Sequence, residues 1–365
     1  MPSEFKIAVF SGDGIGPEIT APTCRVLERL QALSGKFTLM FEEAPAGAGH
    51  YARTGESLPA ASLATARAAD AILLSAMGDP AIRYPDGTEI SPQIELRKEL
   101  DLYAGLRPVR IAPGYPTPLR LPDDRIVDFM LIRESTEGLF WSMGRGEVSR
   151  DEARETLVIT RETSRKLFRQ TFALARQRGL RDGRKGKVTC VDKANVFRAF
   201  AFFREIFEEE AAQNPDVAHD ASYVDAMALR MVAAPWALDV LVTENMFGDI
   251  LSDLGAGLMG GLGLAPSADI GDGYGVFQPC HGSAPDIAGQ GIANPIAMIL
   301  SGGMMLDWLA TRHPEAGLGE AAGRLRDATD RVIADGTHLT PDLGGDCDTE
   351  AVADAVIAAL EGRTS

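Results

Sequence analysis

Short apolar runs alternate with longer stretches of helical periodicity through most of this chain. Residues 7–10, 71–75, 127–132, 188–191 and 240–242 read as buried strands. Amphipathic patterns predict helices from the glycine turn at residues 12–16 to about residue 32, from near Pro92 to about Leu100, and over 163–178. A Met-rich apolar pattern predicts a core helix over 296–309, and a last helix falls over 349–360. Strand and helix in regular alternation indicate an α/β architecture.

Composition narrows the class. With 365 residues and 45% hydrophobic content the chain can carry two domains sharing a large core. A net charge of −16 argues against a nucleic-acid surface, which needs a basic patch. No apolar run reaches membrane-spanning length and residues 1–10 lack a signal-peptide core, so neither a membrane nor a nucleic-acid partner is expected and a cytoplasmic protein is the expectation. Cys24, Cys190, Cys280 and Cys347 show no metal spacing and read as reduced, mostly buried thiols.

The densest chemistry lies between Asp239 and Pro295. The strand over 240–242 breaks into Thr243-Glu244-Asn245-Met246-Phe247-Gly248, and a helix is predicted to begin at Asp249. Residues four apart share a helix face, so Asp249 and Asp253 present two carboxylates side by side. Such a pair calls for a hard divalent cation, Mg²⁺ or Mn²⁺. The structural alternative makes Asp249 an acid complementing the helix dipole and Asp253 a solvated residue. Five glycines between Gly255 and Pro266, followed at once by the small-residue segment 281–289, suggest a backbone approached closely by a ligand. The turn Gly12-Asp13-Gly14-Ile15-Gly16 is GxGxG, not the GxGxxG of a dinucleotide fingerprint, and carries little weight as one.

Together, GDGIGPE near the N-terminus, NMFGDILSD, GGLGLAPSADIGD and HGSAPDIAGQGIANP resemble the metal-dependent β-decarboxylating dehydrogenases, the isocitrate/isopropylmalate dehydrogenase family. That family also includes homoisocitrate, D-malate and tartrate dehydrogenases. The resemblance runs from about Ile7 to about Leu360. It implies the two-domain isopropylmalate dehydrogenase-like fold, with residues 1–103 plus 260–365 as a cofactor-binding domain and 104–259 as a substrate and dimerisation domain. The active-site cleft would lie between them.

By the same resemblance, LRKELDLYAGLRPV and LIRESTEG supply Arg97, Arg107 and Arg133 as carboxylate-binding arginines, implying a dicarboxylic or tricarboxylic substrate. DKANV makes Lys193 the catalytic lysine. YVDAM makes Asp225 both its catalytic partner and a third metal ligand beside Asp249 and Asp253. Lys193 and Asp225 would be donated into a partner subunit's site, so a homodimer with shared active sites is implied, locked by an arm over 144–161. His281, Gly282, Ser283, Ala284, Asp286, Ile287 and Asn294 would line the cofactor. The acid at Asp286 can accept hydrogen bonds from ribose hydroxyls and would repel a 2′-phosphate, which predicts NAD over NADP.

The implied reaction is oxidation of a 2-hydroxy acid chelated to the metal, hydride transfer to NAD and loss of CO₂. One departure stands out. Where the family carries a tyrosine that protonates the enol, this chain has Phe140, which has no proton to give. Either the enzyme oxidises without decarboxylating, or Tyr84, Tyr223 or water replaces the donor, or Phe140 and Trp141 contact a more apolar substrate. Gln93 and Ile94 stand at the specificity position, and Gln93 argues against a purely apolar pocket. The expectation is a C3-substituted malate of the D-malate or tartrate type. The alternatives are 3-isopropylmalate or homoisocitrate and, in a different class, a catalytically impaired regulatory subunit.

Overall fold

The computed structural model describes residues 2–122 and 125–363. Its strands are β1 (Ser3–Phe10), β2 (Phe37–Glu43), β3 (Ala71–Leu74), β4 (Ala104–Ile111), β5 (Val127–Glu134), β6 (Glu147–Val148), β7 (Ala153–Arg154), β8 (Lys187–Asp192), β9 (Ala218–Tyr223), β10 (Val240–Thr243), β11 (Pro266–Ile270) and β12 (Gly275–Pro279). Ten of them form one mixed sheet in the order β2-β1-β3-β12-β11-β4-β5-β10-β8-β9. β6 and β7 pair as a small separate hairpin within the segment expected to form an arm.

The order has a physical logic. β2, β1, β3 and β12 run parallel, as do β5, β10, β8 and β9, while β11 and β4 join these two blocks through three antiparallel pairings. β3 and β10 are buried along their whole length, which is what parallel strands covered by helices on both faces require. The helix Ile296–Arg312 is buried over most of its length, so its methionines serve the core. Residues before 103 and after 260 supply the β2-to-β11 half of the sheet. Residues 104–259 supply the half from β4 to β9.

Two local expectations are corrected. The helix carrying Asp249 begins at Asn245, because the Glu244 carboxylate caps it by accepting the Phe247 N–H at 2.8 Å. Asp249 therefore lies beyond the first turn, and the helix-dipole explanation of it fails. The glycines after it answer partly to packing rather than to a ligand. A Cβ at Gly255 would come within 2.6 Å of Val109 Cγ2, so the helix needs a glycine to sit on β4. Among the cysteines, all four are free, but only Cys190 is fully buried.

Candidate active site

The antiparallel seam aligns charged side chains on one face of the sheet. Asp269 pairs with Gly105, and Gly105 with Arg133, so these three stand in one row across β11, β4 and β5. Arg107 lies two residues beyond Gly105 and shares its face. A Cβ at Gly105 would meet Asp269 Oδ1 at 2.9 Å and Arg107 Nη1 at 3.3 Å, so the glycine makes room for the ion pair. Asp269 Oδ1 accepts from Arg107 Nη2 at 3.2 Å and from Ser135 Oγ at 3.1 Å. Its Oδ2 accepts from Arg97 Nε at 3.1 Å and from Gln278 Nε2 at 2.7 Å. Burial opposes the charge on Asp269, yet Arg97 and Arg107, with Arg133, outweigh it and hold the carboxyl down to about 2.

These groups open on a cavity of about 240 Å³ that brings together Gln93, Ile94, Arg97, Arg107, Arg133, Phe140, Asp249, Asp253, His281 and Gly282. Arg133 donates from Nε to Asn245 Oδ1 at 2.8 Å and from Nη1 to Asp249 Oδ1. Its guanidinium carbon lies 5.1 Å from the centre of the Phe140 ring. Burial, reinforced by Arg97, lowers its pKa to about 10. Asp253 is pushed above the usual carboxylate range by burial and by the neighbouring Asp249. The Gln93 carboxamide oxygen and His281 Nε2 are buried without a hydrogen-bond partner. Burial also holds the His281 pKa below its ordinary value.

His281 belongs to a second hollow as well, of about 400 Å³, lined by Ile15, Gly263, Ile287, Ile292, Ala293, Asn294, Pro341 and Asp342. Here the cofactor segment is pinned to the N-terminal glycine turn. Ile15 N–H donates to the Ser283 carbonyl at 2.8 Å, and the Glu18 carboxylate accepts the Gly289 and Gly291 N–H groups. Ser283 Oγ donates to the Gly78 carbonyl, Ala284 adopts a positive φ of 40°, and Asp286 is exposed at the rim. An orphaned imidazole nitrogen on a side chain that lines both hollows suits a dinucleotide reaching toward the arginines.

Lys193 and Asp225 are elsewhere. They pair with each other at 2.6 Å and neither lines the cavity. Among the described residues no three acidic, histidine or cysteine side chains gather into a metal site, so Asp225 does not join Asp249 and Asp253 within one chain. The proposed substitute donors are also absent from the cavity. The Tyr84 hydroxyl lies within hydrogen-bonding distance of Ser57 Oγ and Glu95 Oε1, and Tyr223 lies under Arg204. The protic groups the cavity does contain are Ser75, Ser252, Ser267, Cys280 and His281, with the Cys280 thiol pushed up by burial and so protonated.

Sequence reasoning missed Asp269, Gln278 and Ser135. The acid inside the otherwise small, neutral run before Gly271 was the available signal for the first; nothing local marks the other two. A cavity of about 740 Å³ lies on the opposite face of the same strands, lined by Leu106, Met130 and Phe277. It holds none of the predicted site residues.

The fold and the arginine-rich cavity define a binder of small polyanions with acidic side chains placed for a cation. The chain belongs to the isocitrate/isopropylmalate dehydrogenase family, whose model matches residues 6–356. It is thus a decarboxylating 2-hydroxy acid dehydrogenase by family. It is 43% identical to a 3-isopropylmalate dehydrogenase of Anaeromyxobacter dehalogenans, covering 97% of this chain and 99% of that protein. It is also 43% identical to a 3-isopropylmalate/3-methylmalate dehydrogenase of Methanocaldococcus jannaschii, over 96% and 97% of the two chains. Among solved structures it resembles an isocitrate dehydrogenase from Methylococcus capsulatus, with TM-score 0.84 and 38% identity over 98% of this chain and 99% of that one. A β-decarboxylating dehydrogenase from Thermococcus kodakarensis matches with TM-score 0.79 and 37% identity, over 98% and 96%. The names of the two sequence relatives favour the 3-isopropylmalate alternative over the D-malate or tartrate reading.

Proposed function

We propose that this protein is a cytoplasmic, NAD-dependent and Mg²⁺- or Mn²⁺-dependent dehydrogenase that oxidises and decarboxylates a 3-alkylmalate, with 3-isopropylmalate the first candidate. The observation that carries the reading is the convergence of Arg97, Arg107 and Arg133 on one cavity beside Asp249 and Asp253. Leu74, Met77, Ile94 and Phe140 add apolar surface to the same cavity, which suits an alkyl group at C3.

The residues divide the work by their chemistry. Arg97 and Arg107 take one substrate carboxylate, and Arg133 takes the other when its hold on Asp249 is released. Asp249 and Asp253, with Asp225 of a second copy, would hold the divalent ion, which supplies Lewis acidity to the hydroxyl and carboxylate of the substrate. Lys193 of that second copy, beside its Asp225, would accept the hydroxyl proton once it has given up its own. His281, Gly282, Ser283, Ala284, Ile287 and Asn294 would hold NAD, the hydride acceptor, with Asp286 toward its ribose.

The two halves of the sheet are the two domains in this reading. Exposed apolar surface supports a homodimer in the same reading. Leu229 and Ile250 are 69% and 61% exposed, and Val196, Phe197 and Val232 are exposed with them. Asp225, Leu229 and Val232 follow one helix face, so apolar surface flanks the very pair that lacks a metal site.

A second reading rests on Gln93. Its buried carboxamide oxygen lacks a donor, which a hydroxylated substituent of the tartrate kind would supply. The deciding experiment measures NADH and CO₂ formed by the purified protein with Mg²⁺ or Mn²⁺ across 3-isopropylmalate, 3-methylmalate, D-malate, both chiral tartrates, isocitrate and homoisocitrate. The highest kcat/KM for a 3-alkylmalate with equal NADH and CO₂ is expected. Preference for tartrate, or for NADP, would overturn the corresponding part.

A further inference from the structure

We propose that Asp269 sets the charge of the substrate. It neutralises one of the three arginine charges inside the protein and so matches the cavity to a dicarboxylate rather than a tricarboxylate. The inference rests on the reading of this cavity as the 2-hydroxy acid site.

Counting donors shows how far Asp269 has already engaged the arginines. A guanidinium carries five N–H donors. Arg107 Nη1 donates to the Leu106 and Ala268 carbonyls at 3.1 and 3.0 Å, and Nη2 donates to Asp269. Arg97 directs Nε and Nη2 at Asp269 Oδ2. One edge of each guanidinium is therefore turned inward, and the pair together offers the cavity a single net positive charge. Asp269 is 1% exposed and each of its oxygens accepts from one arginine and one neutral donor, Ser135 or Gln278. A carboxylate so fully engaged is a fixed part of the wall, and a substrate anion does not displace it without leaving the Gln278 carboxamide N–H unpaired.

Charge matching then follows from the other end of the cavity. Arg133 contributes one positive charge, a divalent cation would balance Asp249 and Asp253, and the Lys193–Asp225 ion pair of a second copy would add no net charge. The net result is a site for two carboxylates. A third would face Asp269 across the same guanidinium groups, in a buried setting where like charges repel strongly. A neutral side chain at position 269 would release the second arginine charge and remove that penalty.

The test compares the wild-type protein with Asp269→Asn at pH 7.5 with Mg²⁺. Calorimetry follows binding of succinate and of propane-1,2,3-tricarboxylate, and initial rates follow 3-isopropylmalate and isocitrate. The wild type is expected to bind the dicarboxylate at least about tenfold tighter, and the variant to shift both ratios at least about tenfold toward the tricarboxylate. An unchanged ratio in a folded variant overturns the proposal. Should the variant not fold, the wild-type ratio decides. Weaker binding of the tricarboxylate supports the proposal, and equal or tighter binding overturns it. The two unreactive anions need no turnover, so a protein that ignores 3-isopropylmalate defeats the functional reading without touching this result.

Discussion

The arginine cluster and the Lys193–Asp225 pair use the same chemistry in opposite settings. Asp269 is buried, its two oxygens fully engaged by Arg97, Arg107, Ser135 and Gln278, and every partner comes from the same chain. Asp225 has a 69% exposed side chain and a single cationic partner, Lys193, and lies outside the cavity it is expected to serve. A buried network is costly to leave incomplete, so the fold completes it alone. An exposed pair contributes little to stability and is free to be engaged by something else. The difference separates a site half that is finished within one chain from one that, in the proposed reading, a second subunit would complete.

The sharpest way to break this contrast is subunit mixing. Lys193→Met is expected to lower kcat at least about 10³-fold while leaving binding of a dicarboxylate nearly intact, since the lysine moves a proton and does not hold the substrate. Asp253→Asn is expected to be comparably inactive through loss of metal support. Unfolded and refolded together, the two dead variants should recover roughly a quarter of wild-type activity, because a mixed dimer contains one site with no mutated residue. No recovery, with mixed dimers shown to form, would mean that each site is built from one chain.

The next largest effect concerns the exposed apolar face. Ile250→Asp places a charge on a residue that solvent already reaches, so the monomer should fold. Burying that charge unpaired in an interface costs several kcal/mol, so the dimer should dissociate and activity should fall about 10²-fold or more at micromolar protein. Light scattering coupled to size exclusion reads the assembly directly. An active monomer would refute the shared-site account.

What the sequence disclosed follows the same division. The parallel strands β1, β3, β5, β8 and β10 and the helices Pro92–Glu99, Ile296–Arg312 and Thr349–Leu360 were legible, because their apolar pattern is set by burial on the sheet, whereas β2, β4, β9, β11 and β12 were not read as strands. The three arginines and both carboxylates of the helix were legible through motif resemblance, and they do meet in one cavity. The helix start was misplaced by four residues, from Asn245 to Asp249, because Glu244 is an unusual cap that propensity does not announce. Asp269 escaped because its significance is the strand register that sets it opposite Gly105, and register is a long-range property. Ser135 and Gln278 matter only as its hydrogen-bond donors, which no local pattern encodes.

A smaller effect distinguishes the two carboxylates by acid. The folded pKa of Asp269 is held at about 2, below the ordinary 3.8, so its contribution is fully present above the unfolded value and is lost as pH falls through about 2. The depression corresponds to about 2 kcal/mol. Urea unfolding of the wild type and Asp269→Asn should therefore differ by about that amount near pH 7, with the gap narrowing between pH 4 and pH 2. A gap independent of pH would mean that Asp269 acts through packing rather than charge.

The smallest effect tests Phe140. Its ring faces the Arg133 guanidinium at 5.1 Å, and no tyrosine lines the cavity in its place. A family tyrosine would have served as proton donor at this point, but Ser75, Ser252, Cys280 and His281 already border the same space. The enol formed after CO₂ leaves needs only one proton, and its delivery limits the rate only if every donor is distant. Phe140→Tyr is accordingly expected to change kcat by less than about threefold and to leave CO₂ equal to NADH, because the hydroxyl adds a donor to a site that does not lack one. A large rise in kcat at unchanged CO₂ per NADH would show that the wild-type cavity is starved of a proton donor, and that the missing hydroxyl at Phe140 limits the chemistry.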